Sequence, residues 1–171
     1  VTPWRKDPGY QGGFLLDGGI HHIAGFRLVL GDDDANAITK VSAFTAQLQP
    51  HLPPIDTINS TLRTKGGVSG TVALSFGTTL DDKSYHFGFE KGKIIVENGV
   101  SKVIYNDGTS PQESSRYMGT GVKEEIKAWA QALNAGKANE KQSPKEALQD
   151  LKLLEAMIQS GEKDGAVFDL A

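Results

Sequence analysis

Gly12-Gly13-Phe14-Leu15-Leu16-Asp17-Gly18-Gly19-Ile20-His21-His22-Ile23 is the stretch on which the rest of the chain turns. At about 100° per residue, the run from about Gly13 to Leu30 reads as a helix. Leu15, Leu16, Ile23, Phe26 and Leu30 share an apolar face, and Asp17, His21, Ala24 and Leu28 lie opposite, with Gly18 and Gly25 beside them. Gly31, ahead of Asp32-Asp33-Asp34, is placed to end the helix as a left-handed terminal glycine. A helix stacks residues four apart on one face, so Asp17 and His21 are expected to project together. Gly18, Gly19 and Gly25 inside the helix each cost roughly 0.5–1 kcal/mol relative to alanine. Such glycines mark the close approach of a backbone, a side chain or a ligand, and packing on a neighbouring strand accounts for them as well as a ligand does.

An aspartate beside a histidine suits acid/base work. The carboxylate orients the imidazole and raises its basicity, and histidine ordinarily titrates near neutral pH. The spacing alone leaves open a surface ion pair worth a few tenths of a kcal/mol. As a metal site the pair supplies two ligands only, and His22, His51 and His86 cannot be brought to the same point by sequence, so no metal is assigned. There is no Gly-x-Gly-x-x-Gly after a strand, no Gly-x4-Gly-Lys-Ser/Thr, no His-Glu-x-x-His and no Gly-x-Ser-x-Gly. No cofactor-binding residue is therefore assigned within the chain. A stand-alone hydrolase built on Asp17 and His21 would lack a visible nucleophile and oxyanion element.

Around this helix the pattern is that of a sheet closed by helices. Val1 to Gln11 reads as an irregular approach rich in breakers. Strands are expected over Ile38 to Leu48, Ile55 to Thr64, Val68 to Phe76, Ser84 to Phe89, Lys93 to Glu97 and Val100 to Tyr105. Val68, Val72, Leu74 and Phe76 alternate with Ser69, Thr71 and Ser75, and Glu97-Asn98-Gly99-Val100 reads as a tight hairpin. Short loops between many strands imply a mainly antiparallel sheet, one face on helices and the other rich in hydroxyls. Asn106 to Gly121 reads as a loop. Two scaffold helices follow. The first carries the stripe Val122, Ile126, Trp129 and Leu133. The second opens with the capping box Ser143-Pro144-Lys145-Glu146, carries the stripe Ala147, Leu151, Leu154 and Ile158, and ends at Gly161.

The 171 residues suffice for one domain, and a formal net charge of -3 with scattered Lys and Arg lacks the basic footprint of a nucleic-acid partner. No apolar run approaches the ~18 residues of a membrane span, and no basic start followed by an apolar stretch marks a signal peptide. The absence of cysteine excludes disulfides and thiolate chemistry and fits a cytoplasmic setting. A start at Val1 rather than methionine leads us to expect a piece of a longer protein.

Trp4-Arg5, the Gly-Gly-x-x-x-Asp-x-Gly-x-His core from Gly12 to His21, the strand-rich middle and the closing helix from Ser143 to Leu151 together resemble the C-terminal domain of the glucose-fructose oxidoreductase / inositol dehydrogenase (Gfo/Idh/MocA) family. The similarity covers essentially the whole chain, residues 1–171, as a single substrate-binding and oligomerisation domain. It implies an α/β (α+β) fold with a large, mostly antiparallel sheet, helices packed on one face, like the C-terminal domain of glyceraldehyde-3-phosphate dehydrogenase. It further implies an N-terminal Rossmann domain, absent here, that binds NAD or NADP and supplies a Glu-Lys-Pro lysine. Carried over by position, His21 matches the catalytic histidine that moves the substrate hydroxyl proton. Asp17 matches the carboxylate that positions that hydroxyl or the histidine, and Arg5 and Phe14 match the substrate-pocket wall. The resemblance thus implies hydride transfer between nicotinamide and a sugar or polyol in a homo-oligomer. Ala24 stands where many members carry a further aspartate, which puts one polar contact to the substrate in doubt. The family also includes regulators without the reaction, so a dimerisation or regulatory binding module is the alternative.

Overall fold

The computed structural model describes residues 3–8, 13–115 and 117–170; Gly12 of the motif and part of the Val1 to Gln11 approach lie outside them. The chain divides into two compact units, Val1–Thr79 with Glu140–Ala171, and Leu80–Asn139.

The first unit is built on the helix read from the sequence. A single helical turn, α1 (Pro3–Lys6), stands where only irregular chain was expected, and α2 runs Gly13–Leu30. Gly31 ends α2 with φ 77°, its N–H donating to the Arg27 carbonyl at 3.1 Å. The face that buries Leu15, Gly19, Ile23 and Phe26 is the predicted apolar one. Strands β1 (Ile38–Ala46), β2 (Thr57–Thr64) and β3 (Ser69–Ser75) form an antiparallel ladder. The strand β8 (Phe168–Asp169), which the sequence did not announce, pairs with the other edge of β1. β2 alternates through buried Ile58, Ser60, Leu62 and Thr64 and exposed Asn59, Thr61 and Arg63, which leaves a polar open face.

Helix α4 (Pro144–Glu162) packs on β1 and against α2. The serine half of its capping box forms, the Glu146 N–H donating to Ser143 Oγ at 3.2 Å with Pro144 in the first turn, whereas the Glu146 side chain turns to Arg27 and the Ser143 N–H donates to the Glu140 carbonyl instead. Its buried stripe differs from the expected one. Leu154 and Ile158 are buried with Asp150, Leu153 and Met157, whereas Ala147 and Leu151 face outward. The buried face, with Leu153, Leu154, Met157 and Ile158, is the more apolar of the two, and the acid on it is paired: Arg27 of α2 pairs with Asp150 and, at 3.0 Å, with Glu146, and its guanidinium also donates to the Glu146 carbonyl. Gly161 is likewise not the terminator. A methyl group there would overlap the Thr45 side chain of β1, while Asp164 and Gly165 adopt φ 54° and 82° and the Gly165 N–H donates to the Ser160 carbonyl at 2.9 Å.

The second unit holds an antiparallel ladder of β4 (Ser84–Phe89), β5 (Gly92–Glu97), β6 (Val100–Tyr105) and β7 (Gln112–Glu113). The Asn98-Gly99 hairpin forms with φ 50° and 78°, both left-handed as a two-residue turn requires. Part of the expected loop from Asn106 to Gly121 returns to the sheet as β7, and Ser114 Oγ accepts from the Ser101 N–H at 2.9 Å. Helix α3 (Val122–Asn134) departs from its scaffold reading: none of its residues is buried, and Val122, Ile126, Trp129 and Leu133 are each more than half exposed. Its Gly121 N-cap has no side chain to cap with, and Tyr117 substitutes. The Tyr117 hydroxyl accepts from the Gly121 N–H at 3.1 Å and donates to Glu124 at 2.5 Å.

Candidate functional site

The site is the N-terminal half of α2. Its first residue, Gly13, has φ 41°, and a side chain there would overlap the Pro53 carbonyl oxygen. Only glycine lets the helix start this close to the 47–55 connection. One turn on, Phe14 meets Phe76 edge to face, with ring centroids 5.0 Å apart at 87°. Phe76 also lies under Gly18, where a Cβ would come within 2.7 Å of Cζ, and 6.5 Å from the His22 ring. Gly19 makes ordinary contact with Leu74 of β3 and Leu154 of α4. The strand reading of Gly18 and Gly19 therefore holds: they admit packing side chains.

Arg5, Asp17 and Phe14 come together. Arg5 Nη2 lies 2.5 Å from Asp17 Oδ2, and the guanidinium stands 5.3 Å from the Trp4 ring centroid and 5.6 Å from that of Phe14. Both members of the pair keep about a third of their side-chain surface in solvent (34% and 31%), so the pair is fixed more by its aromatic walls than by burial. Arg5 Nε is buried without a hydrogen-bond partner. His21 lies on the same side of α2 as Asp17 but is exposed, and makes no hydrogen bond or ion pair among the described residues. The carboxylate expected to position the substrate hydroxyl or the histidine is thus engaged by Arg5, while the imidazole is exposed. Among the described residues no group of three or more His, Asp or Glu side chains is placed to hold a metal ion.

Sequence reasoning passed over Asp56. It is fully buried, and its carboxylate accepts from the Leu48 N–H at 3.0 Å, the Gln49 N–H at 2.7 Å and Thr57 Oγ1 at 2.8 Å. These bonds end β1 at Ala46 instead of Leu48. The only signals in the sequence were an aspartate at a strand entrance and Gly77, whose absent Cβ would stand 2.5 Å from both carboxylate oxygens.

The profile of the GFO_IDH_MocA_C family, described as "Oxidoreductase family, C-terminal alpha/beta domain", matches residues 2–168. This chain belongs to that family. A dehydrogenase of Fusarium mangiferae, FPY6, is 37% identical over 179 residues, spanning 97% of this chain and 48% of its own length. The crystal structure of an oxidoreductase from Thermotoga maritima superposes with a TM-score of 0.77 at 31% identity, covering 98% of this chain and 47% of that one. An oxidoreductase from Agrobacterium radiobacter, solved with NAD+, L-tartaric acid and magnesium, shares the fold at a TM-score of 0.69 and 20% identity, over 88% of this chain and 47% of its own. This Gfo/Idh/MocA domain therefore spans about half the length of the relatives it matches, and its mixed α/β fold with antiparallel ladders is that of their C-terminal domains. No helix among its described residues is long and apolar enough to cross a membrane.

Proposed function

We propose that the chain is the substrate-facing half of an NAD(P)-dependent oxidoreductase acting on a hydroxyl-bearing small molecule such as a sugar or polyol, within a cytoplasmic homo-oligomer whose other half is a Rossmann domain. The observation that carries this is His21, exposed and without a hydrogen bond or ion pair among the described residues, on the same helix face as a carboxylate whose charge Arg5 already balances. His21 takes the proton from the substrate hydroxyl in oxidation and returns it in reduction. Asp17, held by Arg5, hydrogen-bonds the same hydroxyl or a neighbouring one, and Phe14 with Trp4 walls the pocket. A nicotinamide nucleotide needs a glycine-rich turn opening a helix for its phosphates, which this sequence does not contain, so the cofactor is assigned to the partner domain, where it would accept or return the hydride.

The test is His21→Ala in the two-domain protein. Turnover should fall about 100-fold or more with nucleotide affinity unchanged, and unchanged turnover removes the assigned role. The 171-residue chain alone should be inactive and bind NAD(P)H no more tightly than about millimolar. One observation favours the second reading, a dimerisation or regulatory module without catalysis: Asp17 is paired with Arg5 instead of His21. On that reading the full-length protein shows no dehydrogenase activity with any hydroxy substrate, and His21→Ala leaves ligand binding and assembly unchanged.

A further inference from the structure

The helix that carries Asp17 and His21 meets two contacts near its N-terminal end, and both lead back to one buried residue, Asp56, the first through its carboxylate and the second through its main-chain carbonyl. The first is the abutment of Gly13 on the Pro53 carbonyl, which fixes where α2 begins. Pro53 belongs to the 47–55 connection, and the carboxylate of Asp56 gathers the start of that connection by accepting the Leu48 and Gln49 N–H groups. The second contact is the Phe76 ring, lying under Gly18 and between Phe14 and His22. The main chain of Phe76 is tied to Asp56 as well, because its N–H donates to the Asp56 carbonyl at 2.9 Å. The Asp56 N–H donates in turn to the Ala46 carbonyl at 3.0 Å, and Gln49 Nε2 donates to the Gly77 carbonyl at 3.0 Å, closing the ring of bonds.

From this convergence we infer that Asp56 is a positioning residue for the reaction. It holds both the start of α2 and the ring beneath its functional face, and so sets where His21 and Asp17 stand relative to the substrate. It touches neither residue. A buried carboxylate that accepts several donors is costly to leave half-satisfied, and this makes the arrangement stiff. Stiffness matters here because a misplacement of about 1 Å at a reacting group can lower a rate by roughly 100-fold. The inference rests on the function proposed above for its catalytic consequence, and on geometry alone for its structural one.

The experiment pairs Asp56→Asn with Ser160→Ala. Ser160 is also fully buried, and its hydroxyl accepts from the Ala43 N–H and donates to the Ala166 carbonyl, both at 2.7 Å, neither partner being on α2 or bonded to Asp56. Each variant loses buried hydrogen bonding, but only the first disturbs the hub. The ring signals of His21, His22 and Phe76 are read by NMR in this chain, and kcat and KM in the two-domain protein, well below each melting temperature. Asp56→Asn should shift the His22 and Phe76 signals and lower kcat about tenfold or more with the nucleotide KM unchanged. Ser160→Ala should leave the ring signals in place and kcat within about twofold of the parent. If Asp56→Asn fails to fold, Thr57→Val, which removes one donor to the carboxylate, should produce the same shifts at smaller amplitude. Ring signals unmoved by Asp56→Asn or by its substitute, or moved equally by Ser160→Ala, overturn the inference. Shifted rings in a protein where His21→Ala leaves turnover intact would uphold the hub and refute the proposed function instead.

Discussion

Gly18→Ala tests directly whether the glycines of α2 serve packing. On helix propensity alone, alanine in a helix interior is better than glycine by roughly 1 kcal/mol. Against that, the new methyl group would stand 2.7 Å from Phe76 Cζ and 3.1 Å from Cε1, well inside contact distance. The ring cannot swing aside freely, because Phe14 meets it edge to face at 5.0 Å and His22 lies 6.5 Å away. Overpacking of this kind costs about 1–3 kcal/mol, so the net effect is a loss of about 1 kcal/mol and a fall in melting temperature of about 2–4 °C. Urea unfolding of Gly18→Ala, Phe76→Leu and the double variant closes a cycle. The leucine gives the methyl room, and the coupling should favour the double variant by about 1 kcal/mol. A Gly18→Ala protein more stable than the parent by the full propensity increment would show that Phe76 does not press on the helix, and would return the glycine to a ligand.

Arg27→Met should leave the buried Asp150 carboxylate unpaired and strip Glu146 of its partner; with Arg27 itself 24% exposed, about 2 kcal/mol of stability should go, and a loss under about 0.5 kcal/mol in urea unfolding would contradict the clamp. In the second unit, the hydrogen bond from Tyr117 holds the Glu124 carboxyl below its ordinary range, and the same bond to Glu124 raises the Tyr117 phenol. The pair's stabilisation from Glu124 is therefore complete above the unfolded glutamate pKa and lost as pH falls through the lowered folded value. Carboxyl-carbon NMR titration should show the Glu124 midpoint moving up in Tyr117→Phe, and an unchanged midpoint would remove the tyrosine as its cause. The open face of the first sheet, with exposed Phe44, Asn59 and Thr61, should support self-association, which sedimentation would detect and Thr61→Glu should weaken; a monomer at high concentration counts against that face.

Periodicity was enough to read α2 from Gly13 to Leu30, its terminating glycine, the Asn98-Gly99 hairpin and the Ser143 cap, because each rests on contacts within a few residues. The rotation of α4 was not legible in the same way. The stripe of Ala147, Leu151, Leu154 and Ile158 is a sound local solution, but the face with Leu153, Leu154, Met157 and Ile158 buries more apolar surface once Asp150, which lies on it, finds its partner in Arg27, far away in sequence. Gly161 was misread for a related reason. A glycine near a helix end looks like a terminator until the Thr45 side chain of β1 is seen to occupy the space of its missing Cβ.

The functional face follows the same division. Residue types four apart identified Asp17 and His21 as candidates, yet the ion pair is made by Arg5, twelve residues upstream of Asp17 and outside the reach of helix spacing. The more consequential step concerns which side of α2 a ligand would meet. Gly13 and Gly18 are filled from the protein side, by the Pro53 carbonyl and the Phe76 ring, so neither can be cited for ligand approach. What stands exposed is the imidazole of His21, without a partner among the described residues, on the same helix face as a carboxylate paired with a guanidinium. On the function proposed above, a substrate entering there exchanges no unpaired buried charge for its own contacts, so it need offer only hydroxyl groups. An anionic substrate would instead compete with Asp17 for Arg5, and would be expected to bind at the cost of the ion pair that fixes the pocket wall.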